Sequence, residues 1–145
     1  MIKCKGKVKK HCILFLLVLL LGCLCTIQPV YAKGSCTLSV RNGEDITVKL
    51  KKAIKKYDTI RIPGGTYRVS GSLTLDNKTA IQATSGRVVL QQRKNRKSIF
   101  TSSRSTKKLS LTGITLDGQG RSGSLLYVKS ASGLTLINVQ FVSCR

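Results

Sequence analysis

The sequence predicts an all-β solenoid of three to four coils, entered through one short amphipathic α-helix and preceded by an export leader. Three observations predict it. Thr59 to Val69 reads Thr-Ile-Arg-Ile-Pro-Gly-Gly-Thr-Tyr-Arg-Val, two alternating runs split by a corner. Ile60/Ile62 and Tyr67/Val69 each put their apolar residues on one face, as a two-residue period requires. Pro63-Gly64-Gly65 bends the chain between them, since proline cannot donate to a ladder and glycine tolerates unusual dihedrals. Second, the chain beyond Val69 continues as short runs separated by Gly, Ser, Asn, Asp or charged residues. Third, Leu109-Ser-Leu-Thr-Gly-Ile-Thr-Leu116 repeats as Leu134-Thr-Leu-Ile-Asn-Val-Gln-Phe141 at an offset of 25. A period of that size marks stacked repeats.

Residues 1–32 read as a secretory signal peptide. Five lysines before Cys12 lead into an apolar run from Cys12 to Cys25, and Val30-Tyr31-Ala32 supplies a cleavage site. The run is shorter than the ~20 residues a membrane helix needs. Two alternatives stay open: an uncleaved anchor, and a lipoprotein box at Leu20-Leu21-Gly22-Cys23 with a lipidated Cys23. The expected location is secreted or cell-surface.

Residues 33–45 form an entry segment, with Thr37–Val40 as an edge strand. From Asp45 to Tyr57 the period changes: Ile46, Leu50, Ala53, Ile54 and Tyr57 share one helical face. Asp45 or Thr47 can cap its start, and the five lysines between Lys49 and Lys56 take the polar side and the last turn. Such a helix would cover the open end of a stack. The strands then follow as Thr59–Ile62, Thr66–Val69, Ser72–Leu75, Thr79–Ala83, Arg87–Gln91, Ser98–Thr101, Leu109–Leu111, Ile114–Leu116, Leu125–Val128, Leu134–Leu136 and Val139–Phe141. A jelly roll or sandwich also supplies many short strands, and Asp117-Gly118 is a hairpin signal for that rival.

The chain carries 26 Lys+Arg against 5 Asp+Glu, a net charge of +21, of which +16 lies beyond the leader. That field suits anionic partners, and it equally suits a basic surface with no dedicated ligand. With 5% aromatic residues and no Trp, stacking platforms are scarce, which argues against nucleic acid. The single histidine, His11, lies in the leader, so the rest has no imidazole for acid–base work. The five acidic residues, Glu44, Asp45, Asp58, Asp76 and Asp117, are each explained by the cap, a joint or a turn. No catalytic, cofactor-binding or metal residue is assigned. The candidate contacts to an anionic ligand are two basic runs, Arg93, Lys94, Arg96 and Lys97, then Arg104, Lys107 and Lys108. Cys36 and Cys144 stand at opposite ends of the domain, beyond the reach of a disulfide, with Cys144 expected as a small core residue.

Asp58-Thr-Ile-Arg-Ile-Pro-Gly-Gly-Thr-Tyr-Arg-Val-Ser-Gly-Ser-Leu-Thr-Leu75 resembles the opening coil of pectate-lyase-superfamily proteins, and the preceding helix resembles their N-terminal cap. Leu111-Thr-Gly-Ile-Thr-Leu-Asp-Gly118 and Leu134–Phe141 are similar to their later coils. The resemblance runs from Ile46 to the end. It implies a right-handed parallel β-helix with a capping helix at 45–57, within a domain of residues 46–145 that reads as truncated. For activity it implies less. The Asn-Thr-Asp, Asp-Asp, Gly-His-Gly and Arg-Ile-Lys signatures of the family's polygalacturonases are absent from the sequence. The acidic ligand set of its calcium-dependent lyases is not visible either. The expected function is an exported β-helix segment associated with polysaccharide binding or processing, catalytically incomplete as it stands. A longer parent would be a lyase or glycoside hydrolase. The alternative is a self-contained cationic module binding anionic glycans or wall polymers at the cell surface. Membrane contact is expected only through the leader or a lipidated Cys23.

Overall fold

Alternating strands joined by tight corners bury one face each when the chain keeps turning in the same sense. In a computed structural model that describes residues 33–75, 78–102 and 106–145, the chain winds this way through about four turns. The leader, Cys23, Asp76 and Arg104 lie outside the described residues. An edge strand β1 (Ser35–Thr37) and a helix α1 (Thr47–Lys56) come first. The first turn is β2 (Thr59–Ile62), β3 (Gly65–Val69) and β4 (Leu73–Leu75). The second is β5 (Lys78–Ala83), β6 (Val88–Gln92) and β7 (Phe100–Ser102). The third is β8 (Lys108–Thr112), β9 (Ile114–Asp117) and β10 (Leu126–Tyr127), and the fourth is β11 (Gly133–Ile137) and β12 (Gln140–Val142).

The turns stack into three sheets ordered β1-β2-β5-β8-β11, β3-β6-β9-β12 and β4-β7-β10. Every strand pairing among the described residues is parallel. That removes the sandwich rival, whose hairpins need antiparallel neighbours. Asp117-Gly118 is a corner instead: the Asp117 carboxylate accepts the Gln119 N–H at 2.9 Å, and Gln119 sits at φ 52°. The inward positions form vertical columns. Ile60, Ile81, Leu111 and Leu136 stand in one, and Tyr67, Leu90, Leu116 and Phe141 in another. Their first three members are buried in a single cluster.

The 25-residue repeat holds between the third and fourth turns, where Leu109 faces Leu134 and Leu116 faces Phe141. Elsewhere the step varies: Ile60 faces Ile81 and Ile81 faces Leu111, steps of 21 and 30. The strands keep register while the corners absorb the difference. At the founding corner, a Cβ on Gly64 would run into the Ser85 carbonyl of the next turn. That close approach is what requires glycine there.

The helix begins at Thr47 rather than Asp45. Ile46, at the cap position, is buried and offers no side-chain bond, so Asp45 caps from one residue earlier by accepting the Thr47 N–H at 3.0 Å. Asp45 also accepts the Ser70 hydroxyl, while Thr47 Oγ1 accepts the Ser70 N–H at 2.7 Å. These bonds tie the helix start to the end of β3. Partial desolvation works against the Asp45 carboxylate, but the Ser70 and Thr47 donors and the Arg68 charge prevail and hold its pKa below the usual value. Leu50, Ala53 and Ile54 of α1 belong to the same buried cluster as the first turn. The edge strand lies at Ser35–Thr37, two residues before the expected Thr37–Val40. Its three residues lie parallel on Thr59–Arg61, and after Leu38 the chain leaves the edge for a loop closed by Glu44 N–H to Arg41 O.

Candidate functional site

The two basic runs are separated in the sequence by one short apolar stretch, and the fold sends their described residues to opposite sides of it. Arg93, Lys94, Arg96 and Lys97 occupy the corner between β6 and β7, all exposed. Lys107 lies beyond β7 at the corner that leads into β8, and Lys108 opens β8, both exposed. Between them β7 spans three residues, roughly 10 Å at ~3.3 Å per residue.

Stacking enlarges both corners. Arg121, from the equivalent corner of the third turn, accepts the Arg96 N–H at 2.9 Å through its carbonyl and donates its guanidinium to Arg93 O at 3.3 Å. Arg145 follows in the fourth turn, its N–H on Ser122 O at 2.9 Å. On the other side Lys78 stands in register with Lys108, and Lys129 N–H is held by Ser102 Oγ at 2.7 Å. Sequence reasoning missed Arg121, Arg145, Lys78 and Lys129. The repeat itself carried the signal for one of them, because Arg121 follows Arg96 by 25 residues.

The strip between the corners is the outer face of the β4-β7-β10 sheet. Thr74, Thr101 and Tyr127 are cross-strand partners in one row. Thr74 is exposed, Thr101 half-buried, and Tyr127 is 53% exposed, while the flanking Leu73 and Phe100 point inward and are buried. An aromatic ring with a polar tip, set on a rigid strand beside rows of cations, can stack on a sugar ring while the cations meet its carboxylates. Successive turns set Lys78 and Lys108 on neighbouring strands, ~4.8 Å apart at the backbone, and no carboxylate among the described residues forms an ion pair with them.

Other chemistry is poorly supplied. Among the described residues no three His, Cys, Asp or Glu side chains gather as a metal cluster. Asp117 is buried, but Gln91 and Gln119 occupy its oxygens. Burial pushes the Cys36 thiol upward against the opposing charge of Lys56, the reverse of an activated nucleophile. Cys36 and Cys144 are free thiols, and Cys144, expected in the core, is exposed because no strand among the described residues lies beyond its turn. A cavity of about 590 Å³ beside α1 is lined by residues 39–44 and Lys49. Two of its charges pair with each other: Lys49 Nζ lies 2.6 Å from Glu44 and donates to Ser39 O at 2.9 Å. The Lys49 bond, helped by the Arg41 N–H, lowers the Glu44 pKa.

Fold and site thus define a parallel β-solenoid with one exposed strip between two cationic corners. No family model, no curated protein and no solved structure matches the chain.

Proposed function

We propose that this chain is an exported, pectate-lyase-like right-handed β-helix segment that binds anionic polysaccharide without carrying out chemistry on it. The observation that carries the reading is the strip Thr74–Thr101–Tyr127, bounded on one side by Arg93, Lys94, Arg96, Lys97 and Arg121 and on the other by Lys78, Lys107, Lys108 and Lys129. A polyuronate chain laid along the strip meets charge on both flanks and the Tyr127 ring in the middle. In this reading the leader delivers the protein to the wall or medium, where such polymers are found. The helix α1 acts as the lid of the first turn, keeping the stack folded outside the cell.

Binding of the purified protein to polygalacturonate, followed by calorimetry or co-sedimentation, tests this. Affinity falls steeply between low and moderate salt, as exposed charge pairs are screened. Replacing Arg96, Lys97 and Arg121 together with Gln lowers affinity at least tenfold, and Tyr127→Ala lowers it less while leaving the salt slope unchanged. Equal binding to neutral glucan would overturn the reading, as would release of shortened or unsaturated product.

A further inference from the structure

The second turn buries a glutamine where the first buries a valine. Gln92 stands in register with Val69, and both are sealed from solvent. A polar side chain at such a position costs stability unless its groups find partners. Gln92 finds them in backbone. Its Oε1 accepts the Lys94 N–H at 3.1 Å, and its Nε2 donates to Lys97 O at 3.0 Å and to Gly71 O at 3.2 Å. Both N–H donors and the carbonyl of the amide are thus engaged. The bonds go to its own corner and to the equivalent corner of the first turn. The third turn grips the same corner from the other side. Ser122, equally buried, donates its hydroxyl to Lys97 O, and Arg121 O accepts the Arg96 N–H at 2.9 Å. Arg96 needs that grip. Its φ of 55° lies in the left-handed region, which side chains other than Asn and Asp rarely enter. Three turns therefore converge on one exposed loop of five residues, four of them cationic.

We propose that Gln92 is a positioning residue for polyanion binding: it holds the backbone of Arg93–Lys97 in its bound shape before any ligand arrives. The inference rests on the polysaccharide reading above and adds to it a residue that, being sealed, no ligand touches. A cationic loop that orders only on contact loses backbone freedom at that moment, and the loss is subtracted from affinity. Here that ordering is already complete in the folded chain, because the Gln92 amide and the Ser122 hydroxyl fix Lys94 and Lys97. A valine at this position, as in the first turn, would fill the core as well. It would leave the Lys94 N–H without this acceptor and Lys97 O without one of its two donors.

Calorimetry of polygalacturonate binding across salt, run beside trypsin digestion, tests the proposal. Gln92→Met keeps the length of the side chain and removes the amide. Affinity falls about fivefold at every salt concentration, as the ordering cost moves from folding to binding. The salt slope stays as it was, since the same cations remain. Arg96→Gln, by contrast, lowers both affinity and slope. Trypsin cuts after Arg and Lys, and it cleaves the corner about tenfold faster in Gln92→Met, because local opening there becomes easier. Urea unfolding shows that the variant is folded under the same conditions. Ser122→Ala removes a donor to Lys97 O from the other side, moves both readouts in the same direction by less, and serves where Gln92→Met does not fold. Native affinity in both variants overturns the proposal even where digestion is faster, as does an affinity loss no larger than the unfolded fraction. Absence of binding by the native protein overturns the polysaccharide reading itself, and this inference with it.

Discussion

Ile60 and Leu136 stand in the same column of the same sheet, three turns apart, and Tyr67 and Phe141 do so in the next. Ile60 and Tyr67 are sealed, whereas Leu136 and Phe141 keep 40% and 46% of their surface exposed. The local pattern is the same at both ends, alternating apolar residues on short strands. What differs is the next layer. Beside the first turn lie Leu38, Ile46, Leu50, Ala53 and Ile54, all within its buried cluster. Beyond the fourth no layer lies among the described residues. In a solenoid, alternation decides which way a side chain points, and the neighbouring turn decides whether it is buried.

The largest effect should come from cutting the same column at two heights. Leu111→Ala opens a cavity in a sealed turn and should cost about 2–5 kcal/mol. Leu136→Ala, in the same column at the open end, should cost well under that, since truncating a half-exposed side chain leaves little void. Urea unfolding midpoints compare the two directly, and equal losses would break the contrast between the ends. A smaller effect sharpens how tightly the turns approach one another. Gly64→Ala drives a methyl into the Ser85 carbonyl and should cost about 1–3 kcal/mol. Gly123→Ala meets nothing within 4 Å and should be neutral or slightly stabilising in the same assay.

The smallest effect concerns acid. Glu44 and Asp45 both have folded pKa values below their ordinary 4.5 and 3.8. A carboxylate with a depressed folded pKa adds stability that is fully present above the unfolded value and is lost as pH falls through the folded one. The Asp45–Thr47–Ser70 anchor should therefore loosen below about pH 4, and Asp45→Asn should flatten that acid limb of the stability profile. Both groups are largely solvated, so the change should be modest. An acid limb of unchanged slope in Asp45→Asn would remove the anchor's role.

Much of this architecture was legible. Strand β2 falls where alternation of Ile60 and Ile62 puts it, and the third and fourth turns superpose at the offset their sequences display. The earlier turns hid their period, because the corner at residues 93–99 is long while the one at Ser70–Ser72 is short, and a fixed spacing cannot follow both. The edge strand was misplaced by two residues because Thr37–Val40 alternates as well as Ser35–Thr37 does. Parallel pairing with Thr59–Arg61 selects the latter, and that partner lies more than 20 residues away. The cationic residues 93–97 and 107–108 were legible as runs, but their placement on opposite flanks of β7 was not. Tyr127 had no local signal: it matters because it stands beside Thr101, 26 positions earlier in the chain.

The unequal corners have a consequence for how such a chain can change. Registers between turns are kept by strands of two to six residues, while the connections differ in length from turn to turn without disturbing them. Length at a corner and order in the stack are therefore separately adjustable. Residues can be gained at the corner around Gly123 while the columns beneath stay in place. The cationic rim of this molecule is thus free to be rewritten, one loop at a time, on a body that need not be redesigned.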